Sequence, residues 1–313
     1  MNRSKLAAFW EFSRPHTIIG TSLSVTALYL MAANSGLSVF NFTETWLGAA
    51  IACICANIYI VGLNQLTDVE IDKINKPNLP LAAGDFTVKQ GWIIISICLL
   101  LGFGLALIQG QFLFLTVASS LIIGTIYSLP PIRLKRFPFW ASVCIFSVRG
   151  LIVNLGLFLH FNQVLNQSLE IPLKVWILTI FILIFTYVIA IFKDMPDIEG
   201  DRKFNVVTLS INWGQLAVFN LSRQILWGLY LSIIFIAISG FLTNYYLNLS
   251  EGLNSVVLAI THIILGIGLW LKSRSVDLSD RTSITNFYQF IWKLFYLEYM
   301  IFPIASIFEI SVS

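Results

Sequence analysis

From Gln90 to Ile132 the chain contains no Lys, Arg, Asp or Glu. An α-helix needs about 20 residues, at about 1.5 Å each, to cross the hydrocarbon core of a bilayer, so this uncharged stretch is long enough for two crossings. The "IQGQ" in its middle supplies the turn, giving spans at 91–108 and 111–128. Comparable runs recur near 16–33, 46–66, 138–160, 173–192, 213–241, 254–271 and 284–308, roughly nine in all. The 313 residues are 57% hydrophobic and only 11% charged, with a mean hydropathy of +0.83, which excludes a soluble domain with a solvated surface. In lipid every backbone polar group must be satisfied internally, and the runs are too long and uniformly apolar for barrel strands. The expected fold is therefore an all-α integral membrane bundle of roughly nine transmembrane helices, forming a single membrane-embedded domain over 1–313.

Basic residues test this segmentation, because cytoplasmic connections collect Lys and Arg. With the N-terminus inside, fifteen of the nineteen basic residues fall on one side, from Arg3, Lys5 and Arg14 to Lys272, Arg274 and Arg281, and only Lys174 on the other. An odd helix count with N-in and C-out is the expectation. Arg149, Arg223 and Lys293 lie inside spans and need their own explanations; Lys293 either pairs with Glu298 or snorkels. A net charge of +3 with no block of like charge excludes a nucleic-acid binder and leaves membrane lipid as the main partner. The basic start, "MNRSK", is not followed by a short apolar stretch with a small-residue cleavage site, nor by a Ser- and Arg-rich transit extension, so neither targeting signal is expected. Cys53, Cys55, Cys98 and Cys144 lack metal-ligand spacing and read as small buried hydrophobes. His16, His160 and His262 show no ligand spacing either.

The second apolar run leads straight into "NQLTDVEIDKINKPNLP". If its helix continues past Leu66, Asn64, Asp68 and Asp72 fall at i, i+4 and i+8, about 6 Å apart on one face. Glu70 points elsewhere and is either solvated or paired with Lys73. After the sixth run, "IFKDMPDIEGDRKFN" spaces Asp194, Asp197 and Asp201 by three and four, although Pro196 interrupts a regular helix. Both clusters open to the same side. Hard oxygen ligands with room for water and phosphate suit Mg²⁺, so the two clusters could hold two ions and a diphosphate between them. Acidic residues at a membrane edge ordinarily just solvate a loop; two such clusters on one side, each mixed with Lys, weigh against that reading. Between them, "YSLPPIRLKRFPFW" brings Tyr127, Arg133, Lys135 and Arg136 to the same side, either completing an anion pocket or merely satisfying topology.

"NQLTDVEIDKINKPNLPLAAG", "YSLPPIRLKR" and "KDMPDIEGDRKFNVVTLSINWG" resemble the UbiA-type intramembrane prenyltransferases. Within that family, "NKPNLPLAAG", "KDMPDIEGD" and the opening "FSRPHTIIGT" resemble the homogentisate phytyltransferase branch of tocopherol synthesis, over most of the chain. The resemblance implies a nine-helix UbiA-type bundle and Mg²⁺-dependent transfer of phytyl from phytyl diphosphate to homogentisate. Loss of CO₂ then yields 2-methyl-6-phytyl-1,4-benzoquinol. It further implies that Asp68 and Asp72 bind one Mg²⁺ and Asp197 and Asp201 the other, with Asn64 on metal or phosphate. Asp194 is either a further ligand or orients Lys193. Lys76, Tyr127, Lys135, Arg136 and Lys193 are the diphosphate candidates. Arg14, in the family's Arg-Pro element, and Arg149 are the acceptor candidates, with Arg149 alternatively locking two helices together. The lack of a transit peptide resembles cyanobacterial members, hence a thylakoid or plasma membrane location with the site facing the cytoplasm.

Three rivals remain within this chemistry: geranylgeranyl transfer to homogentisate, solanesyl transfer to it, and chlorophyll synthesis. A rival of another class is an ion-coupled transporter, which expects carboxylates near the bilayer midplane, reached from both sides. Here they gather at one edge.

Overall fold

The computed structural model describes residues 3–33, 42–204, 206–242 and 253–308, and among these every regular element is helical. A short α1, Lys5–Phe12, precedes α2, Pro15–Ala32. The helices that follow are α3, Leu47–Thr67, the short α4, Val69–Asn75, then α5, Val88–Gln109, and α6, Gln111–Ser128. Next come α7, Pro138–Asn166, and α8, Leu173–Phe192. Two short helices, α9, Ile198–Lys203, and α10, Leu209–Trp213, lead into α11, Gln215–Leu242. The bundle closes with α12, Ser255–Arg274, and α13, Arg281–Ile307.

Eight of these are long and apolar enough to cross a membrane. α2 is the ninth member of the bundle; it has 18 residues but carries Thr and Ser along its length, and it packs against α3, α7 and α13. The nine expected segments therefore reappear as helices with their ends moved by a few residues, eight of them long and apolar enough to span. The ends have local causes. Thr87 caps α5 in a reciprocal box with Gln90, and Asp280 accepts from the Thr282 and Ser283 N–H groups to start α13. Between α5 and α6 the whole turn is Gly110, at φ +125°, a conformation that a Cβ would oppose.

The bundle is layered from centre to lipid. In their most apolar 18-residue stretches, 67% of α8 is buried against 22% of α12. Phe181, Phe185 and Phe192 of α8 are wholly enclosed and meet Tyr230 of α11 and Phe287, Phe295 and Phe302 of α13. The outer faces expose Leu100, Leu107 and Ile108 on α5 and Ile260, Ile263, Ile264 and Ile267 on α12, as a lipid-facing surface requires. Glu298, deep in α13, is not paired with Lys293, which is exposed; His262 Nε2 of α12 lies 3.2 Å from it. Helical phase decides this, since Lys293 and Glu298 are five residues apart and face different ways. Arg223 sits over the Phe219 ring and donates to Asn220 Oδ1 at 3.2 Å, a local structural role. All four cysteines are buried and free.

The most consequential departure from a plain bundle is in α7. Ser147–Ile152 forms a π-helical segment in its middle, an arrangement that inserts a residue and re-aims the side chains around it. Gly150 within it lies directly on α8: a Cβ there would be 2.4 Å from Leu183 Cα. Because that neighbour is backbone, it cannot move aside cheaply. Gly150→Ala should therefore lower stability by roughly 1–3 kcal/mol, seen as a lower thermal unfolding midpoint in detergent; an unchanged midpoint would mean that α7 and α8 are not this close.

Candidate active site

At one end of the bundle the helices do not simply stop. α3 breaks at Asp68 (φ −121°, ψ 16°) and the chain restarts as α4, so Asn64, Asp68 and Asp72 do not ride one continuous helix. The Asp72 N–H still donates to the Asp68 carbonyl at 2.8 Å, which keeps the two aspartates one turn apart. Asn64, on the far side of the break, loses the register: it lines neither cavity described below, its side chain makes no hydrogen bond among the described residues, and its carbonyl accepts from Thr67 Oγ1 at 2.9 Å. The second motif is built the same way. α8 ends at Phe192, Lys193 to Asp197 form turns through Pro196, and the Asp201 N–H donates to the Asp197 carbonyl at 3.1 Å as α9 begins.

Cations bind the carboxylates at the two breaks. Asp68 accepts from Arg133 Nη2 at 2.8 Å and from Lys135 Nζ at 2.7 Å, and the same two side chains reach the Thr67 carbonyl and hydroxyl. All three charged groups are 10–18% exposed, so water screens them little. Burial lowers the Lys135 ammonium to about 8, against the opposing pull of Asp68. Arg133 is held in the left-handed region at φ 42°, a conformation costing roughly 1–3 kcal/mol for a non-glycine residue, offset by its hydrogen bonds. Lys76 pairs with Asp197 across the two motifs, and Lys193 with its neighbour Asp194. Glu70 pairs with Lys73 on the exposed face, outside this network.

Asp72 and Asp201 form no ion pair among the described residues. Burial, joined by neighbouring carboxylates, raises Asp72 to about 6 and Asp201 to about 7, even with Lys76 nearby.

These groups line a mouth of about 640 Å³. Its wall includes Asp68, Asp72, Lys76, Tyr127, Lys135 and Arg136, and also Lys193, Asp194, Asp197 and Asp201. Lys76, Tyr127, Lys193, Asp194 and Asp197 also border a second, deeper chamber of about 350 Å³, which runs into the bundle between α2, α3, α6, α7 and α13. That chamber is largely apolar, with Ile60, Val117, Ile145 and Val153 on its walls. Arg14 and Arg149 both line it. Arg14 ends the α1–α2 turn at φ 57°, another left-handed arginine at the site. The Arg149 guanidinium lies 5.2 Å from the Trp292 ring centre and 5.9 Å from that of Phe295, with no ion pair among the described residues. The π segment brings it there.

Of the residues expected from the motifs, only Asn64 stands apart from the two cavities. Sequence reasoning missed Asn75, Gly200 and Arg281, which join the two motifs, and Tyr288, Trp292 and Phe295 of α13, which wall the chamber. Aromatic residues in an apolar span carry no signal separating a chamber wall from ordinary packing. Among the described residues no three carboxylate, histidine or cysteine side chains already converge as a metal cage. The donor set nevertheless fits a hard divalent cation shared with phosphate: the ligand atoms are carboxylate oxygens, and two of the carboxyls, Asp72 and Asp201, have no ion pair among the described residues.

Residues 22–294 match the UbiA prenyltransferase family. The homogentisate phytyltransferase of Synechocystis sp. (strain ATCC 27184 / PCC 6803 / Kazusa) is 50% identical over 303 residues, 96% of each chain. Homogentisate phytyltransferase 1 of Arabidopsis thaliana chloroplasts is 42% identical over 308 residues, 96% of this chain and 76% of that one. A solved UbiA homolog from Archaeoglobus fulgidus, bound to GPP and Mg²⁺, shares the fold with a TM-score of 0.64 at 15% identity, over 95% of this chain and 99% of that one. With its membrane-length helices and its family match over most of the chain, this protein belongs to the UbiA prenyltransferase family and is an integral membrane prenyltransferase.

Proposed function

We propose that the chain is a homogentisate phytyltransferase, moving phytyl from phytyl diphosphate to homogentisate with loss of CO₂. The observation that carries this is one continuous site with two halves: a charged mouth built from both acidic motifs, opening into an apolar chamber that contains a guanidinium with no ion pair among the described residues. The 50% identity to a homogentisate phytyltransferase over nearly the whole chain supports the same acceptor and donor.

The mouth suits a diphosphate. Asp68 and Asp72 would hold one Mg²⁺ and Asp197 and Asp201 a second, with Asp194 orienting Lys193. When bound, these ions supply positive charge where the leaving diphosphate becomes more negative. Lys76, Tyr127, Lys135, Arg136 and Lys193 surround the same space and would take the remaining phosphate oxygens. The allylic C–O bond breaks with its electron pair going to the diphosphate. The largely apolar chamber would keep water from the allylic cation, and Tyr288, Trp292 and Phe295 on its wall would stabilise its charge. A ring carbon of homogentisate forms the new C–C bond and releases its proton. The side-chain carboxylate leaves as CO₂, and the carbon that bore it takes up a proton.

Arg149 would receive the acceptor. A half-buried guanidinium with no counter-ion among the described residues is costly, and homogentisate brings a carboxylate of the right charge. Arg14 is the second cation on the chamber wall. The excess of basic residues on one side supports N-in and C-out, with the mouth facing the cytoplasm of a cyanobacterial thylakoid or plasma membrane. Ion transport is disfavoured by the position of the aspartates, all beyond the ends of the spans.

Purified protein in lipid, given Mg²⁺, homogentisate and a mixture of phytyl, geranylgeranyl and solanesyl diphosphates, should yield the decarboxylated phytyl-quinol as the main product by mass spectrometry. Asp68→Asn and Asp197→Asn should each abolish it while remaining folded. A geranylgeranyl or solanesyl product would change the donor, and activity only on chlorophyllide would discard the acceptor. Arg149→Leu removes a charge-assisted contact of about 1.5–3 kcal/mol, so the KM for homogentisate should rise roughly 10- to 150-fold with the donor KM unchanged. An unaltered acceptor KM would assign Arg149 to helix packing.

Asp72 and Asp201 have folded-state values above those of an unfolded carboxyl, so between about pH 4 and 7 the folded chain binds more protons. Stability of the metal-free protein must then fall as pH rises through that window. Unfolding midpoints in chelator should be lower at pH 7.5 than at pH 5.5, and Asp72→Asn with Asp201→Asn should flatten the difference. A midpoint that rises with pH would contradict the burial described.

A further inference from the structure

The two acidic motifs are tied together by one side chain. Asn75, the last residue of α4, is only 5% exposed, and each of its side-chain polar groups is used. Its Nδ2 donates to Asp201 Oδ1 at 3.2 Å, and its Oδ1 accepts from the Gly200 N–H at 2.9 Å. Its backbone carbonyl accepts from Arg281 at the start of α13. The next residue, Lys76, pairs with Asp197. The amide orientation is dictated by its neighbours: the Gly200 N–H can only donate, so Oδ1 must face it and Nδ2 must face the carboxylate. Such contact requires residue 200 to lack a side chain, since a Cβ there would lie 2.3 Å from Asn75 Oδ1 and 2.6 Å from its Cγ.

No other side chain does this work equally well. Asp at 75 would set a second anion against Asp201, Leu would leave both partners unsatisfied, and Gln is one methylene too long for the gap. The two helices being joined have seven and six residues and lie outside the spans, far too short to hold their positions alone.

We infer that Asn75 is a positioning residue: docked on Gly200, it sets the separation of the Asp68/Asp72 pair from the Asp197/Asp201 pair, and so the width of the diphosphate site. The inference rests on the proposed reading of the two motifs as a divalent-cation and diphosphate site.

Binding of Mn²⁺ with inorganic pyrophosphate to the full-length protein in nanodiscs, followed calorimetrically without prenyl donor or acceptor, tests it. Wild type should bind. Asn75→Ala, and independently Gly200→Ala, which keeps every polar group but pushes α9 off α4, should each weaken binding at least 10-fold. In turnover assays on a variant that remains active, the KM for homogentisate should be unchanged, because the acceptor lies in the chamber; a general loss of structure would move both. Wild-type affinity in either folded variant would overturn the positioning role. Failure of the wild type itself to bind would overturn the diphosphate reading beneath it, a distinguishable result.

Discussion

Carboxylates gathered at the end of an apolar bundle repel one another and resist losing water, and the site is organised around that cost. Asp68 is held by two cations that are themselves nearly buried, and Asp197 by a lysine from the opposite motif. Asp72 and Asp201 have no such partner among the described residues and keep protons up to nearly neutral pH. The local architecture follows. One transmembrane helix breaks at Asp68 and another ends at Phe192 just before its aspartates, two very short helices carry the rest of the motifs, and Arg133 accepts a left-handed backbone beside Asp68. A mouth so arranged keeps two buried carboxylates without a cation of their own among the described residues, which suits a site for a metal-bound diphosphate in the proposed reaction.

Below the mouth the physics reverses. The chamber is apolar and walled by aromatic side chains, and the main charge inside it is a guanidinium supported by ring faces. The π-helical segment of α7 and the side-chain-free contact at Gly150 bring Arg149 to this wall. An arginine in an unbroken span would cost the bundle the same desolvation without necessarily facing the cavity. The two compartments share Lys76, Tyr127, Lys193, Asp194 and Asp197, so a ligand spanning them has its charged head and apolar tail in matched surroundings.

Much of this was readable from the chain because hydropathy and membrane crossing are local properties. The uncharged stretch at 90–132 resolves into α5 and α6 about the "IQGQ" turn, and α8 spans the expected 173–192. The aspartate spacing located both motifs, and basic residues between them located Arg133 and Lys135. Pairing across the molecule was not readable. The i, i+4, i+8 argument assumed an unbroken helix, and the break at Asp68 leaves Asn64 off the cavity walls. Glu298 pairs with His262, from another helix, rather than with a lysine in its own. No local spacing marks Asn75, because its partners lie 125 and 126 residues away.

The central claim is that both motifs form one site for a single metal-bound diphosphate. Pulsed electron paramagnetic resonance of the wild-type protein loaded with Mn²⁺ and pyrophosphate addresses it directly. The account predicts phosphorus couplings to bound Mn²⁺ that disappear in Asp68→Asn and also in Asp197→Asn, since each removes one half of the same site. Couplings that survive either substitution unchanged would mean that the two motifs do not share a ligand.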